Sequence, residues 1–554
     1  MNPPLRLLVI GGVAAGASCA ARARRLDEHA SIIMLDRGPD VSFANCGLPY
    51  HIGGEIAERG ALAVQTPAGL KSLLNLDVRT GCEALRIDRA GKRVEVRQVA
   101  DGHCEWISYD KLMLAPGASP LRPALPGIDD ARVHTLRNLQ DMDRILAAAG
   151  TARRAVVIGA GFIGIEMAEQ LRHRGLAVQL VELQEQVLPQ LDAPMSALLA
   201  SELQRQGVTV MTGERVTAFE PADAVLHCRL ASGRVLEADL VILSIGVQPE
   251  TTLAREAGLA LGPRGHILVD EFMRTSDPDI HAAGDAVLTR DRIDGSAVSV
   301  PLGGPANRQG RVAADCMLLG DRARPYPGSL GTAIVRAFDV VAGITGWSEK
   351  RLLAAGKAHD SITVNAEHHA GYYPGAKPMS LKILWEPDTG RLLGAQATGF
   401  EGVDKRLDVL ATALAGGMTV DDLCHLELAY APPFGSAKDI VNLAGFAACN
   451  KRDGLVTPAA SLPADANVQV LDVRPKALAE AFPVPGGAIN IPFPALRASL
   501  DRLDPRRPVV TVCAFGKMSY FAARILAQQG FEVRSFAGGM RGNVDPRSPG
   551  KMPG

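Results

Sequence analysis

Leu5-Arg6-Leu7-Leu8-Val9-Ile10-Gly11-Gly12-Val13-Ala14-Ala15-Gly16 decides the architecture of this chain. A largely apolar run ends in a glycine-rich turn. The residues up to His29 read as a helix, and a second apolar run, 31–35, ends at Asp36. Gly11 permits the tight turn and Gly16 permits close helix–strand packing, with Gly12 between them in the same cradle. The following helix points its unpaired N–H groups and positive dipole end at the mouth of the turn, where a pyrophosphate would sit. Asp36 stands where a carboxylate accepts hydrogen bonds from ribose hydroxyls.

A second unit of the same kind follows. Residues 155–158 read as a strand, Gly159-Ala160-Gly161-Phe162-Ile163-Gly164 as the turn, 165–174 as a helix and 177–181 as the next strand, ending at Glu182. One GxGxxG is a weak signal. Two complete strand–turn–helix–strand–acid units are a strong one. A carboxylate at Glu182 accepts from a free ribose 2′-hydroxyl and repels a 2′-phosphate, which favours NADH over NADPH. Tyr109-Asp110-Lys111-Leu112-Met113-Leu114-Ala115-Pro116-Gly117 reads as a strand with a small-residue turn. Ile280-His281-Ala282-Ala283-Gly284-Asp285-Ala286 reads the same way, with Asp285 expected at a helix start. This last segment resembles the second flavin-binding segment of two-dinucleotide flavoproteins, in which the aspartate contacts the ribityl chain. The resemblance implies an FAD domain interrupted by a nicotinamide domain.

Between the two units lies Ser42-Phe43-Ala44-Asn45-Cys46-Gly47-Leu48-Pro49-Tyr50-His51. Flavin disulfide reductases of the glutathione reductase type place a second redox cysteine five positions after the first; here that position is His51. A thiol near a flavin without such a neighbour forms its disulfide with an external sulfur.

The 554 residues suffice for three or four domains. The chain is 47% hydrophobic and 21% charged with a formal net charge of −1, the balance of a globular protein with no nucleic-acid surface. No apolar run reaches the roughly 20 residues of a membrane span, and no export signal is expected at the N-terminus. The 9 cysteines are scattered without metal-ligand spacing, so no metal is expected and a reducing cytoplasm is.

On Ser42–Tyr50, on Pro301-Leu302-Gly303-Gly304-Pro305-Ala306-Asn307-Arg308-Gln309-Gly310-Arg311 and on Ala429-Tyr430-Ala431-Pro432-Pro433-Phe434, the chain resembles the single-cysteine pyridine nucleotide–disulfide oxidoreductases. Within that class it is most similar to coenzyme A disulfide reductases and persulfide reductases. The resemblance implies a homodimer whose interface domain sends two tyrosines into the partner's active site. Tyr430 and, in Gly371-Tyr372-Tyr373-Pro374, Tyr372 match those positions. It further implies that Arg22 and Lys71 bind coenzyme A phosphates. Arg22, in the run Arg22-Ala23-Arg24-Arg25, reads equally as part of a solvated helix face. Flavin oxidases and peroxidases of the same class carry a histidine in the first glycine turn; this chain has Val13-Ala14.

The final segment begins after a Pro-, Gly- and small-residue-rich stretch, 451–464, which reads as a linker. Residues 468–473 read as a strand, 509–512 as a strand delivering Cys513, 519–529 as a helix and 532–536 as a strand. The pattern resembles a rhodanese domain. A cysteine between a strand and a helix N-terminus is expected to be exposed, with its thiolate favoured by the dipole and the loop amides. Rhodaneses commonly place arginine where Met518 stands, so the resemblance implies persulfide carriage before thiosulfate chemistry.

The expected fold is α/β: an FAD domain in two parts (1–150 and 246–330), an NAD(P)H domain (151–245), an α+β dimerisation domain (331–450) and a rhodanese-like α/β domain (465–554). The expected chemistry is reduction of persulfides, polysulfides or coenzyme A disulfide through Cys46. Ser42 and Asn45 would position the substrate, Tyr372 and Tyr430 would bond to the departing thiolate, and Cys513 would carry sulfane sulfur. Three alternatives are a flavin NADH oxidase, a strict coenzyme A disulfide reductase, and a sulfur-status sensor or carrier with little turnover.

Overall fold

The first apolar run forms the strand Arg6–Ile10, whose Leu7, Leu8 and Val9 are all buried. A strand covered on both faces belongs in the middle of a parallel sheet. In the computed structural model, which describes residues 3–222, 224–459 and 461–540, it is the third of five parallel strands. The order is Ile280–Ala282, Lys111–Leu114, Arg6–Ile10, Ser31–Asp36 and Asp77–Thr80. The helix Ala15–Leu26 packs on this sheet beside the much later helix Gly303–Leu319. A Cβ on Gly310 would lie 2.1 Å from the Ala15 carbonyl oxygen, so this helix pair requires a glycine. The late strand and late helix are thus built into the first nucleotide sheet.

The second parallel sheet runs Thr209–Met211, Ala177–Val181, Arg154–Ile158, Leu240–Leu243 and Val133–His134. Val133–His134 lies before the expected boundary at residue 151, yet it pairs with Leu240–Leu243. Both sheets fall in one compact unit, Met1–Leu183 with Gly207–Gly331.

The other compact unit comprises Gln184–Gln206 and Thr332–Gly554. Its antiparallel sheet has the order Ala333–Ala337, Val340–Gly346, Leu392–Gly399, Pro378–Trp385 and Asp360–Glu367. Residues 184–206, expected within the nicotinamide domain, group with this sheet for a polar reason. Lys382 Nζ lies 2.8 Å from Asp192 Oδ2 and 2.6 Å from Glu349 Oε2, and Gln396 Nε2 donates to Asp192 Oδ2 at 2.6 Å. Burial alone would raise the Asp192 carboxyl, but Lys382 and Gln396 outweigh it and hold it below the usual range.

A second, wholly parallel sheet in this unit has the order Pro458–Ala459, Val533–Phe536, Val509–Val512, Gln469–Asp472 and Ile489–Asn490. The expected linker is therefore corrected at both ends. Its first residues complete the helix Ile440–Arg452, and Pro458–Ala459 is the edge strand of the last domain. Two sequence cues misled there: prolines are tolerated in edge strands, and small residues close a helix as readily as they make a tether.

Candidate functional site

The two glycine turns share one construction. Gly11 and Gly159 both have φ +96°, a conformation that favours glycine. A Cβ on Gly16 would lie 1.8 Å from the Gly11 carbonyl oxygen, and one on Gly164 would lie 1.8 Å from that of Gly159. Asp36 accepts from the Gly12 and Gly38 N–H groups at 2.9 and 2.8 Å. Glu182 accepts from the Ala160 N–H at 2.7 Å. A Cβ on Gly161 would meet nothing within 4 Å, leaving the mouth of the second turn open. These cradles suit two dinucleotides: the first with Asp36, the second with Glu182 toward its ribose.

Asp285 departs from expectation. It lies in a turn that leads into the strand Val287–Arg290, not into a helix. Helical support comes from elsewhere, because Gln309 Oε1 accepts from the Gly284 N–H at 2.8 Å. Burial pushes the Asp285 carboxyl up, and Arg137 partly offsets this. Arg137 donates to Ser119 Oγ at 2.7 Å and to the Pro116 carbonyl at 3.1 Å, and its own acidity is increased by burial and then by Arg37. No motif in the sequence marks Arg137.

The Cys46 segment is fastened to the first cradle. Ser42 N–H donates to the Gly12 carbonyl at 2.8 Å, and Ser42 holds φ +48°, an uncommon value for a non-glycine residue. Asn45 and Cys46 are exposed at the start of a helical turn that continues as Leu48–Gly53. His51 is buried, with Nδ1 2.7 Å from the Ile56 carbonyl, so the place of a second thiol holds a ring committed to the backbone. The Cys46 thiol is raised by desolvation first, then by the Glu166 and Asp285 carboxylates. Glu166 comes from the helix Phe162–His173 of the second nucleotide unit and accepts from Tyr50 Oη at 3.2 Å. The structure therefore brings Cys46 and Asp285 into one electrostatic neighbourhood and adds Glu166 to it, a setting that makes the thiolate harder to form.

Arg22 and Lys71 are both engaged. Arg22 Nε pairs with Asp315 Oδ1 at 2.6 Å, and Lys71 Nζ donates to Asn75 Oδ1 at 2.7 Å. Arg24 corrects the reading of a solvated arginine face. It is buried and donates to the Leu74, Asn75, Asp27 and Glu28 carbonyls, tying the helix Ala15–Leu26 to the end of the helix Pro67–Leu74.

In the other unit, Tyr372 Oη and Tyr430 Oη lie 3.0 Å apart, and the side chains are 76% and 48% exposed. Two exposed phenols that share a hydrogen bond form a donor pair available to something outside the subunit. The hydrogen bond with Tyr430 raises the Tyr372 phenol. The two tyrosine loops are held by Arg406, which sequence inspection does not single out. Its Nη2 donates to the His368 carbonyl at 2.6 Å and to Asp439 Oδ2 at 2.7 Å. Asp439 in turn caps the helix Ile440–Arg452 through the Val441 N–H at 3.1 Å. A backbone bond, Ala370 N–H to the Gly435 carbonyl at 3.0 Å, joins the loops directly.

Cys513 is buried, at 4% exposure, not exposed as expected. The strand Val509–Val512 delivers it into a loop closed by Gly516, whose φ of +93° starts the helix Lys517–Gln528. The Gly516 N–H points at Cys513 Sγ from 3.1 Å, and Ser519 Oγ lies 3.4 Å from the same sulfur. Of the expected cradle of backbone amides, the Gly516 N–H is the one seen facing the sulfur. Met518, in the usual arginine position, is 40% exposed.

Residues 5–309 match the pyridine nucleotide-disulphide oxidoreductase family, 332–440 its dimerisation domain and 456–544 the rhodanese-like domain. The coenzyme A disulfide reductase of Staphylococcus epidermidis is 34% identical over 445 residues, spanning 80% of this chain and 99% of that protein. A reduced CoADR-RHD of Bacillus anthracis matches with TM-score 0.94 and 43% identity over 97% of each chain. A NAD-dependent persulfide reductase from A. fulgidus matches with TM-score 0.93 and 38% identity, over 98% of this chain and 100% of its own. The chain therefore belongs to the pyridine nucleotide-disulphide oxidoreductase family and carries that family's dimerisation domain followed by a rhodanese-like domain.

Proposed function

We propose that this protein is an FAD-dependent NAD(P)H oxidoreductase that reduces persulfides, polysulfides or coenzyme A disulfide through Cys46, with NADH as its preferred donor. The observation that carries this reading is the exposed Cys46, anchored to the first glycine cradle, with buried His51 in the place of a second thiol. Bound FAD would supply, beside Cys46, the electron pair that the nicotinamide gives up. Gly11, Gly12, Gly16, Asp36 and Asp285 would hold it, and Gly159, Gly161, Gly164 and Glu182 would hold NADH.

Cys46, as the thiolate, attacks one sulfur of R–S–S–R or R–S–SH and becomes part of a mixed disulfide while the other sulfur leaves as a thiolate or hydrosulfide. Two electrons and a proton then return Cys46 to the thiol and release the second sulfur. The balance is NADH + H⁺ + RSSH giving NAD⁺ + RSH + H₂S, or NADH + H⁺ + RSSR giving NAD⁺ + 2 RSH. Ser42 and Asn45 position the substrate sulfur. The dimerisation domain and the exposed phenol pair support a homodimer in which Tyr372 and Tyr430 of one subunit donate to the departing thiolate in its partner. Cys513 accepts sulfane sulfur and passes it on, its tether raising the local concentration of cargo.

Of the other readings, strict coenzyme A specificity would have Arg22 and Lys71 exchange their partners Asp315 and Asn75 for phosphates. Val13-Ala14 in the first turn weighs against an oxidase. The test is steady-state consumption of NADH and of NADPH with glutathione persulfide, with coenzyme A disulfide, and with dioxygen alone. The reading expects NADH to be used faster with the sulfur substrates than with dioxygen. Consumption with dioxygen alone at the same rate would make the protein an oxidase, and no consumption with any of them would make it a sensor or carrier.

A further inference from the structure

The turn behind the Cys513 loop has two faces. On one face, a Cβ on Gly539 would lie 2.5 Å from the Gly516 nitrogen and 2.6 Å from the Ala514 carbonyl oxygen, so this turn is the rear wall of the loop. The Met540 N–H donates to the Cys513 carbonyl at 2.8 Å and pins the wall to the cysteine's own backbone. On the other face, Asn365 donates from Nδ2 to the Gly538 carbonyl. A Cβ on Gly538 would stand only 3.4 Å from Asn365 Nδ2 and 3.8 Å from Thr363 Cγ2. Two consecutive glycines, both with positive φ, let the turn be thin enough to touch both sides.

Asn365 belongs to a different domain. It lies on Asp360–Glu367, the edge strand of the dimerisation sheet, and its Oδ1 accepts from Ser380 Oγ, its cross-strand partner. That bond fixes which way the amide faces. The far end of the same strand is held by Lys451, whose Nζ lies 2.6 Å from Asp360 Oδ1 and donates to the Ser361 carbonyl at 3.1 Å. Lys451 ends the helix that leads into the last domain. Just beyond, the Leu455 carbonyl accepts from Arg524 Nη1 at 2.5 Å. The edge strand thus anchors the helix that leads into the sulfur domain and touches the wall of its cysteine loop. It then runs on into the loop that carries Tyr372.

We propose that Asn365 is a positioning residue for sulfur loading at Cys513: it holds the Gly538-Gly539 wall so that the Gly516 N–H stays aimed at the sulfur. The inference rests on the reading of Cys513 as a sulfane-sulfur acceptor. In the step concerned, the Cys513 thiolate attacks the terminal sulfur of R–S–SH, the S–S bond breaks, and R–S⁻ leaves and is protonated. Cys513 becomes a persulfide, and no external oxidant or reductant is consumed. The Gly516 N–H stabilises the attacking thiolate, so whatever aims it sets the pH at which Cys513 begins to load.

The test uses the full-length holoenzyme with glutathione persulfide as donor. Loading is followed as the gain of one sulfur atom on the Cys513 peptide by mass spectrometry, across a range of pH. Asn365→Asp keeps the size and the acceptor for Ser380 but removes the donor to Gly538. It is expected to slow loading about tenfold and to move the pH midpoint of loading upward. Ser380→Ala leaves the donor and loosens its orientation, for a loss of about threefold. In both variants, NADH consumption with coenzyme A disulfide stays at the wild-type rate, which reports that the chain is folded and Cys46 intact. Loading of Asn365→Asp at the wild-type rate with the wild-type pH midpoint overturns the role of Asn365 and leaves the reading of Cys513 standing. Failure of the wild-type protein to load Cys513 overturns that reading, and the inference with it.

Discussion

Cys46 and Cys513 are opposite solutions to presenting a reactive sulfur. Cys46 is exposed and sits among carboxylates: Glu166 and Asp285 both raise its thiol, after a larger contribution from desolvation. Cys513 is buried, yet a backbone N–H and a hydroxyl face its sulfur from 3.1 and 3.4 Å. Accessibility and contact with a backbone donor have been separated: Cys46 has the first, and Cys513 has the second with little of the first. A raised thiol forms its thiolate less readily, so attack by Cys46 calls for a group that lowers it. Cys513 has a backbone donor in its own loop, whose rear wall Asn365 holds.

The contrast can be broken first at the wall of the recessed site. Gly539→Ala adds a methyl group where only 2.5 Å is open to the Gly516 nitrogen, at φ +67°. Sulfur loading of Cys513, followed by peptide mass, is expected to fall about 100-fold, while NADH consumption with coenzyme A disulfide is unchanged. A proportional fall in both would mean that the cradle is not the sulfur site. At the exposed cysteine the expected effect is smaller and opposite in sign. Glu166→Gln removes an anion beside Cys46, lowers its thiol toward the ordinary value, and should speed alkylation by iodoacetamide at neutral pH by roughly threefold to tenfold. In the unmodified protein the alkylation rate should keep rising with pH beyond the range where an ordinary thiol has levelled off. A plateau near pH 8 would contradict the anionic setting. The smallest effect belongs to Ser519→Ala, which removes the hydroxyl that accepts from the Cys513 thiol at 3.4 Å and donates to the Gly516 carbonyl at 2.9 Å, and should slow its loading about threefold. No change there would leave the Gly516 amide as the group that matters.

The sequence carried those features that local backbone geometry imposes. Both glycine turns, the lone Cys46 and the strand–loop–helix around Cys513 are readable because each needs particular residues at fixed spacing. What depends on tertiary approach was not legible. Glu166 acts on Cys46 from a helix more than a hundred residues later, and nothing in either segment announces the meeting. Arg406, which binds both tyrosine loops, looks like any helix arginine until the carbonyl of His368 and the carboxylate of Asp439 are seen around it. Asp285, expected at a helix start, instead precedes a strand, and its turn borrows its helix from residues 303–319. Cys513, expected to be exposed at a strand end, is buried in the apolar cluster with Leu471, Val473, Ile491 and Ala522, partners that come from separate segments.

The division of labour between the two cysteines is tested most directly by NADH consumption with glutathione persulfide in Cys46→Ser and Cys513→Ser, measured beside consumption with coenzyme A disulfide. Cys46→Ser is expected to lose about 1000-fold or more with both substrates, since it removes the thiol that forms the mixed disulfide. Cys513→Ser should keep coenzyme A disulfide turnover and lose only the part of persulfide turnover that passes through the carrier. Full turnover in Cys46→Ser with either substrate would contradict the account.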